Sequence, residues 1–360
     1  MQPKNVYSLS NKLESTLTRP GLGLLLSVIL LIAVSAFSQM NFQTAHHGKE
    51  YTMLSEKPFD FAQNNDLQLR ILSPLTGYLL FMRGPLFTYF MLVVLAGFLT
   101  GVYVYLRRKN FTVKESSLMM TVIGFTTLVF HQLYFPAYTD PGSYLLIILL
   151  MMFYRKEFVS ILLLSLLLFN HESNIFLFPF FFVLIANGNY RANNLIRVLV
   201  LFVISCIPYF LYRSYISSHV QTNFTLEYYL DPVNMKWTRE HVLPNLANGI
   251  FQSFRFAWII PVVAIVIDLY QKRFNEALLI LSAIVFVMMQ FFIAYDISRL
   301  AGLAFPALLL GALRLKEFLG NKKFTLLLIS IFILNLFIPS YYVGALEPFR
   351  YGAGWFSVRD

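Results

Sequence analysis

Apolar runs follow one another along nearly the whole chain, parted only by short polar or basic punctuation, and this pattern makes lipid the solvent for most of it. The runs fall near 21–39, 85–106, 116–134, 143–154, 157–170, 174–187, 194–213, 256–271, 276–294, 300–314 and 324–340. Composition agrees. Hydrophobic residues make up 58% of the 360 and charged residues 13%, and 37 Phe with 21 Tyr exceed what a water-soluble core of this size can hide. Mean hydropathy is +0.64. The same figures exclude disorder, a coiled coil and a collagen-like repeat. Cys206, the one cysteine, excludes a disulfide framework and reads as apolar filler. The expected fold is an all-α polytopic membrane protein of about eleven transmembrane helices, several of them short or broken, forming a single domain over 1–360.

Runs such as 143–154 and 157–170 are shorter than the ~20 residues a straight span needs. Short spans are tolerated where protein or a watery cavity covers the missing length. The stretch 21–39 is too long for the core of a cleaved signal peptide and has only a weak cleavage match at Ala36-Phe37-Ser38. A net charge of +10 raises the question of nucleic acid, but no basic cluster exceeds Arg107-Arg108-Lys109. The Lys and Arg residues lie between apolar runs, which is a membrane-orientation pattern. Placing the N-terminus in the cytoplasm puts 17 of the 28 basic residues in short cytoplasmic segments, among them Arg155, Lys156, Lys272, Arg273, Lys322 and Lys323. That orientation leaves the C-terminus outside after eleven crossings. The outer face then carries two substantial loops, 40–84 and 214–255. The first includes an amphipathic segment, 67–80, expected to lie at the interface.

Ionisable side chains near membrane depth are costly and mark functional sites by default. Three clusters stand at the expected outer ends of spans: His131 with Asp140; His171 with Glu172; and Asp296 with Arg299. Each also has a plain structural reading. Asp140-Pro141-Gly142 suits a helix cap with Pro at the first position. His171-Glu172 suits a wetted turn, and Asp296 with Arg299 suits an i,i+3 pair. Their convergence on one face favours a sheltered pocket in which a carboxylate sits beside a cation, suited to acid–base work or cation binding. Asp268 is expected to pair with Lys272, and Glu115, Glu157, Glu276 and Glu317 belong to the basic turns. His171-Glu172 lacks the second His of a zinc helix, and His46-His47 diverge on a helix. No phosphate loop, nucleophile elbow or kinase signature is present. Asn223-Phe224-Thr225 matches a glycosylation sequon, a pattern short enough to occur by chance.

Three stretches together carry a resemblance. Leu69-Arg70-Ile71-Leu72-Ser73-Pro74-Leu75 resembles a segment following the first outer loop of bacterial polytopic glycosyltransferases of the GT-C type. Asp140-Pro141, with the later Asn170-His171-Glu172-Ser173, resembles the middle of those proteins, and Asp296-x-x-Arg299 with Ala304-Phe305-Pro306 resembles a late span. In order and spacing the resemblance covers about 45–310. It implies an enzyme of the bacterial inner (plasma) membrane that moves a sugar from a polyprenyl-phosphate donor to a glycan, lipid or protein acceptor at the outer face, with membrane lipids around it and no nucleic acid. The family places an essential acid, most often Asp, early in the first outer loop. Here that stretch reads Gln43-Thr44-Ala45-His46-His47-Gly48-Lys49-Glu50-Tyr51, and Glu50 is the nearest acid.

The expected roles follow. A carboxylate acts as general base, with Glu50, Asp60, Asp140 and Glu172 as candidates. Arg70 and Arg299 neutralise the donor phosphate, because a guanidinium gives two parallel hydrogen bonds to phosphate oxygens. His131, His171 and Asp296 support the site, and Tyr228, Tyr229 and Trp237 stack on sugar faces. A divalent metal would assist the departing phosphate without being demanded, and no other cofactor is implied. Two alternatives stand beside this reading: a transporter or flippase of lipid-linked saccharides, and an O-antigen-type polymerase.

Overall fold

The structure, a computed structural model, describes residues 18–38, 47–63, 65–220, 231–344 and 348–351. Tyr228, Tyr229, His46 and the sequon at Asn223 lie outside the described residues. Among the described residues the regular structure is helical apart from a two-stranded hairpin, Tyr341–Tyr342 against Phe349–Arg350, in which Tyr341 opposes Arg350. Among the described residues six helical segments are long and apolar enough to cross a membrane: Pro20–Phe37, Pro85–Arg108, Ala192–Ser217, Pro232–Tyr270, Phe274–Phe292 and Ile297–Phe337. Val113–Gly124 and Thr127–Tyr134, bent by 53° at their junction, make a seventh if taken as one span.

By length and composition alone, these segments do not confirm eleven separate crossings. The runs expected at 143–154, 157–170 and 174–187 are the shorter helices Asp140–Phe153, Glu157–Asn170 and Glu172–Ala186. The runs 300–314 and 324–340 fall in one segment, Phe305–Phe337, interrupted at Gly320, whose φ of 73° only glycine adopts freely. The segment 67–80 becomes a 3₁₀ turn, Asp66–Arg70, followed by the helix Leu72–Leu79. Leu67, Leu69 and Arg70 of that turn are buried against the bundle.

Local sequence explains the element ends. Pro85 starts its helix at a position where the missing N–H costs nothing. Thr112 and Glu115 form a reciprocal cap at the start of Val113–Gly124. Large apolar side chains remain exposed on several helices, among them Leu25 and Ile32 on the first and Leu211 on Ala192–Ser217, as a lipid-facing surface requires. The interior is a continuous aromatic and aliphatic core in which Phe98 meets Phe305 edge to face at 5.1 Å. Close helix contact is secured at Gly311, where an added Cβ would stand 2.9 Å from the backbone of Pro261.

The basic turns converge on one end of the bundle. Lys316 Nζ reaches Glu115 Oε2 at 2.9 Å and the Asn110 carbonyl at 2.8 Å, and Arg273 meets Glu317 at 2.9 Å. Asp268 departs from expectation. Its partner is Arg314, which holds both carboxylate oxygens at 2.8–3.2 Å, and Asp268 is fully buried, so Lys272 does not serve it. Glu115, expected as an ordinary turn acid, is also buried.

Candidate functional site

The three ionisable clusters meet at the opposite end of the bundle as two arginine–carboxylate pairs. Arg299 donates Nε to Asp140 Oδ2 at 2.7 Å and Nη2 to Oδ1 at 3.0 Å, and its Nη1 to Asp296 Oδ2 at 2.7 Å. Gln132 Nε2 adds a bond to Asp140 at 3.1 Å, and the Tyr138 ring lies 4.8 Å from the guanidinium carbon. Arg70 donates Nε to Glu172 Oε2 at 2.9 Å, Nη2 to Oε1 at 2.5 Å and Nη1 to the Tyr51 hydroxyl at 3.2 Å. Both arginines are buried.

Asparagines join the two pairs. Asn170 accepts from Ser73 at 2.5 Å and donates to the Thr139 carbonyl and Ser143 Oγ, both at 2.8 Å. Asn174 reaches the same Ser143 Oγ at 2.8 Å. The turn carrying Arg70 is thus pinned to the start of Asp140–Phe153 and the end of Glu157–Asn170. Gly142 is required there, because a Cβ would stand 2.8 Å from both Asn170 Oδ1 and Ser73 Oγ.

The plain readings of these turns give way in two places. Asp140 is not the cap: Thr139 holds that position, and the Asp140 carboxylate turns to Arg299. His171 and Glu172 are not wetted, being 8% and 21% exposed at the side chain. His171 Nδ1 accepts the backbone N–H of Ser173 at 3.2 Å, so the proton of the neutral ring sits on Nε2. Burial, helped by the nearby Arg70 cation, pushes His171 down to about 3, and Glu172, Arg299 and Asp140 also lie within its electrostatic reach. Burial pushes Asp296 up, but Arg299 and the Tyr342 hydroxyl more than offset it and leave the carboxyl below its usual range.

Glu50 and Asp60 stand apart from both pairs. Glu50, half-exposed on His47–Glu56, accepts from His47 Nδ1 at 2.8 Å, and the His47 ring lies 6.0 Å from that of Tyr138. Asp60 is near Lys57 at 3.8 Å. From the helix His47–Glu56, Tyr51 reaches the buried pairs through its hydroxyl on Arg70. Trp237 packs its ring edge-to-face on Tyr295 at 4.7 Å, next to Asp296, and stacks on His241 at 4.4 Å. Among the described residues, no three His, Cys, Asp or Glu side chains assemble as a metal site.

Several site residues were not singled out from the sequence. The C-terminal hairpin folds onto the Asp296 cluster: Tyr342 donates to Asp296 Oδ1, Tyr351 shares a 2.9 Å hydrogen bond with His131 Nδ1, and Val343 and Ser298 exchange two bonds of 3.0 Å. Arg255, fully buried at a φ of 50°, donates to the carbonyls of Phe125, Asn335 and Ile338, near the ends of two helices. The partial negative charge at those ends takes the place of a carboxylate. Its signal was legible: an arginine between Phe254 and Phe256 inside an apolar stretch. No protein-family model, curated protein or solved structure is significantly similar to this chain.

Proposed function

We propose that this chain is a membrane glycosyltransferase that moves a sugar from a polyprenyl-phosphate donor to an acceptor at the outer face, with the N-terminus inside and the shorter helices completing about eleven crossings. One observation carries the reading. The three separated stretches that resemble GT-C enzymes are brought into contact, Arg70 with Glu172 and Asp140 with Arg299.

Charge divides the labour. Arg70 with Glu172 is neutral overall, and Arg70 Nη1 is given to the Tyr51 hydroxyl, which a phosphate oxygen could displace. Arg299 is already held by two carboxylates, so that cluster is net negative and suits hydroxyls better than phosphate. Asp140 and Glu172, each gripped through both oxygens, are poor bases and act as positioning residues. Glu50, open and joined to His47, is the base of choice among the four acids. In the step proposed, the acceptor oxygen bonds to the sugar's anomeric carbon as its proton passes to Glu50. The bond from that carbon to the phosphate oxygen breaks, and its electron pair leaves with the phosphate beside Arg70.

The test is sugar transfer in proteoliposomes from a panel of synthetic polyprenyl-phosphate sugars. Glu50→Gln should lower transfer by about 100-fold or more, and Arg70→Lys should weaken donor use. Full activity in both variants would remove these roles. Counterflow of an unmodified saccharide, without covalent transfer, would establish the transporter reading instead.

A further inference from the structure

Asp296 is the most open acid of the buried clusters, 32% exposed at the side chain against 10% for Asp140. One oxygen is held by Arg299, and the other is occupied by a hydroxyl from the chain itself, that of Tyr342. Aromatic rings stand on two sides: Tyr342 stacked on Phe349 at 4.7 Å, and Tyr295 with Trp237. Nearby His131 Nε2, Gln132 Oε1 and Thr139 Oγ1 are buried without a hydrogen-bond partner among the described residues, and such groups call for a polar ligand or water.

A carboxylate with one oxygen fixed by a guanidinium and the other bonded to a hydroxyl, between aromatic faces, is how proteins hold a sugar ring: carbon–hydrogen faces against the rings, hydroxyls on the charged acceptor. We infer that Asp296 is the recognition point for a saccharide hydroxyl, and that Tyr342 occupies it as a built-in substitute that the ligand displaces. This deepens the glycosyltransferase reading and rests on it for the identity of the ligand as a saccharide. It is also separable, because binding is measured without transfer. The exchange is balanced: one O–H donor leaves Asp296 Oδ1 and another takes its place, with no change in charge.

The probe is a set of methyl glycosides (gluco, galacto, manno and N-acetylglucosaminide), observed by saturation-transfer NMR with the full chain in nanodiscs. At least one should bind the wild type. Tyr342→Phe keeps the ring stack and removes the competing hydroxyl, so it should bind that glycoside at least about threefold more tightly. Asp296→Asn should bind it at least about tenfold more weakly. Arg299 keeps Asp140 in that variant, and intact folding is checked by its thermal unfolding. Binding that Tyr342→Phe does not improve, or that Asp296→Asn leaves unchanged, overturns the inference, as does the absence of binding in both wild type and Tyr342→Phe. Glycoside binding with no transfer from any lipid donor would sink the transferase reading alone.

Discussion

Arg299 clasps Asp140 with two parallel hydrogen bonds across 159 residues of sequence, and both side chains are buried. A buried pair of this kind adds little beyond an apolar replacement, because desolvation cancels most of the attraction, but breaking it leaves a charge stranded. Arg299→Gln alone strands two carboxylates and should cost about 3–5 kcal/mol of stability, whereas Asp140→Asn should cost less, because Arg299 keeps its 2.7 Å bond to Asp296. The double variant should cost well under the sum of the two, since the Asp140 charge that Arg299→Gln strands is no longer there. Chemical unfolding in detergent reads all three, and strictly additive losses would show that the pair is not coupled.

Gly142 sits where Ser73 and Asn170 cross the start of the helix Asp140–Phe153. Gly142→Ala pushes its methyl group against two polar atoms that are themselves bonded, and should cost about 1–3 kcal/mol. Adding Ser73→Ala removes one of the two obstructing oxygens and should recover part of the loss. Thermal unfolding of the single and double variants is the measurement, and equal stability of Gly142→Ala and wild type would refute the close packing.

His171 stays neutral in the folded protein down to about 3. In the unfolded chain it takes a proton near pH 6.5. Between those values the unfolded state binds the extra proton, so stability falls as pH falls, by up to about 1.4 kcal/mol per pH unit from this group. The carboxylate of Asp296, lowered in the folded state, also loses its contribution toward acid, but only below about pH 4. Unfolding midpoints from pH 7 to 5 therefore report the buried histidines, His171 together with His131. His171→Gln should make the slope in that range shallower by up to about 1.4 kcal/mol per pH unit, and a slope unchanged by the substitution would place its origin elsewhere.

Much of the architecture was legible because it is written locally. Apolar runs, basic turns and Pro at helix starts each declare themselves within a window of a few residues, and the Asp296–Arg299 spacing gave its i,i+3 pair directly. The longer partnerships were not legible. Nothing near Glu172 in sequence names Arg70, and nothing near Asp268 prefers Arg314 to the closer Lys272; helix packing decides both. Length and hydropathy leave the count of spans open for a related reason. Hydropathy sees a run of apolar residues but not whether neighbouring helices cover a segment as short as Asp140–Phe153. Tyr342 and Tyr351 were invisible because a tyrosine after the last apolar run looks like ordinary interfacial anchoring until the hairpin returns it to the bundle.

The distance along the chain between Asp140 and Arg299 bears on biosynthesis. A ribosome adding ~5–20 residues per second needs roughly 8–30 s to make the 159 positions that separate them. Throughout that interval the nascent polypeptide holds an acid whose counter-ion has not been translated, and the hairpin tyrosines follow later still. The insertion machinery, or water retained around Asp140, must shelter that acid meanwhile, so the cluster can close only once Arg299 and then the hairpin tyrosines have been made.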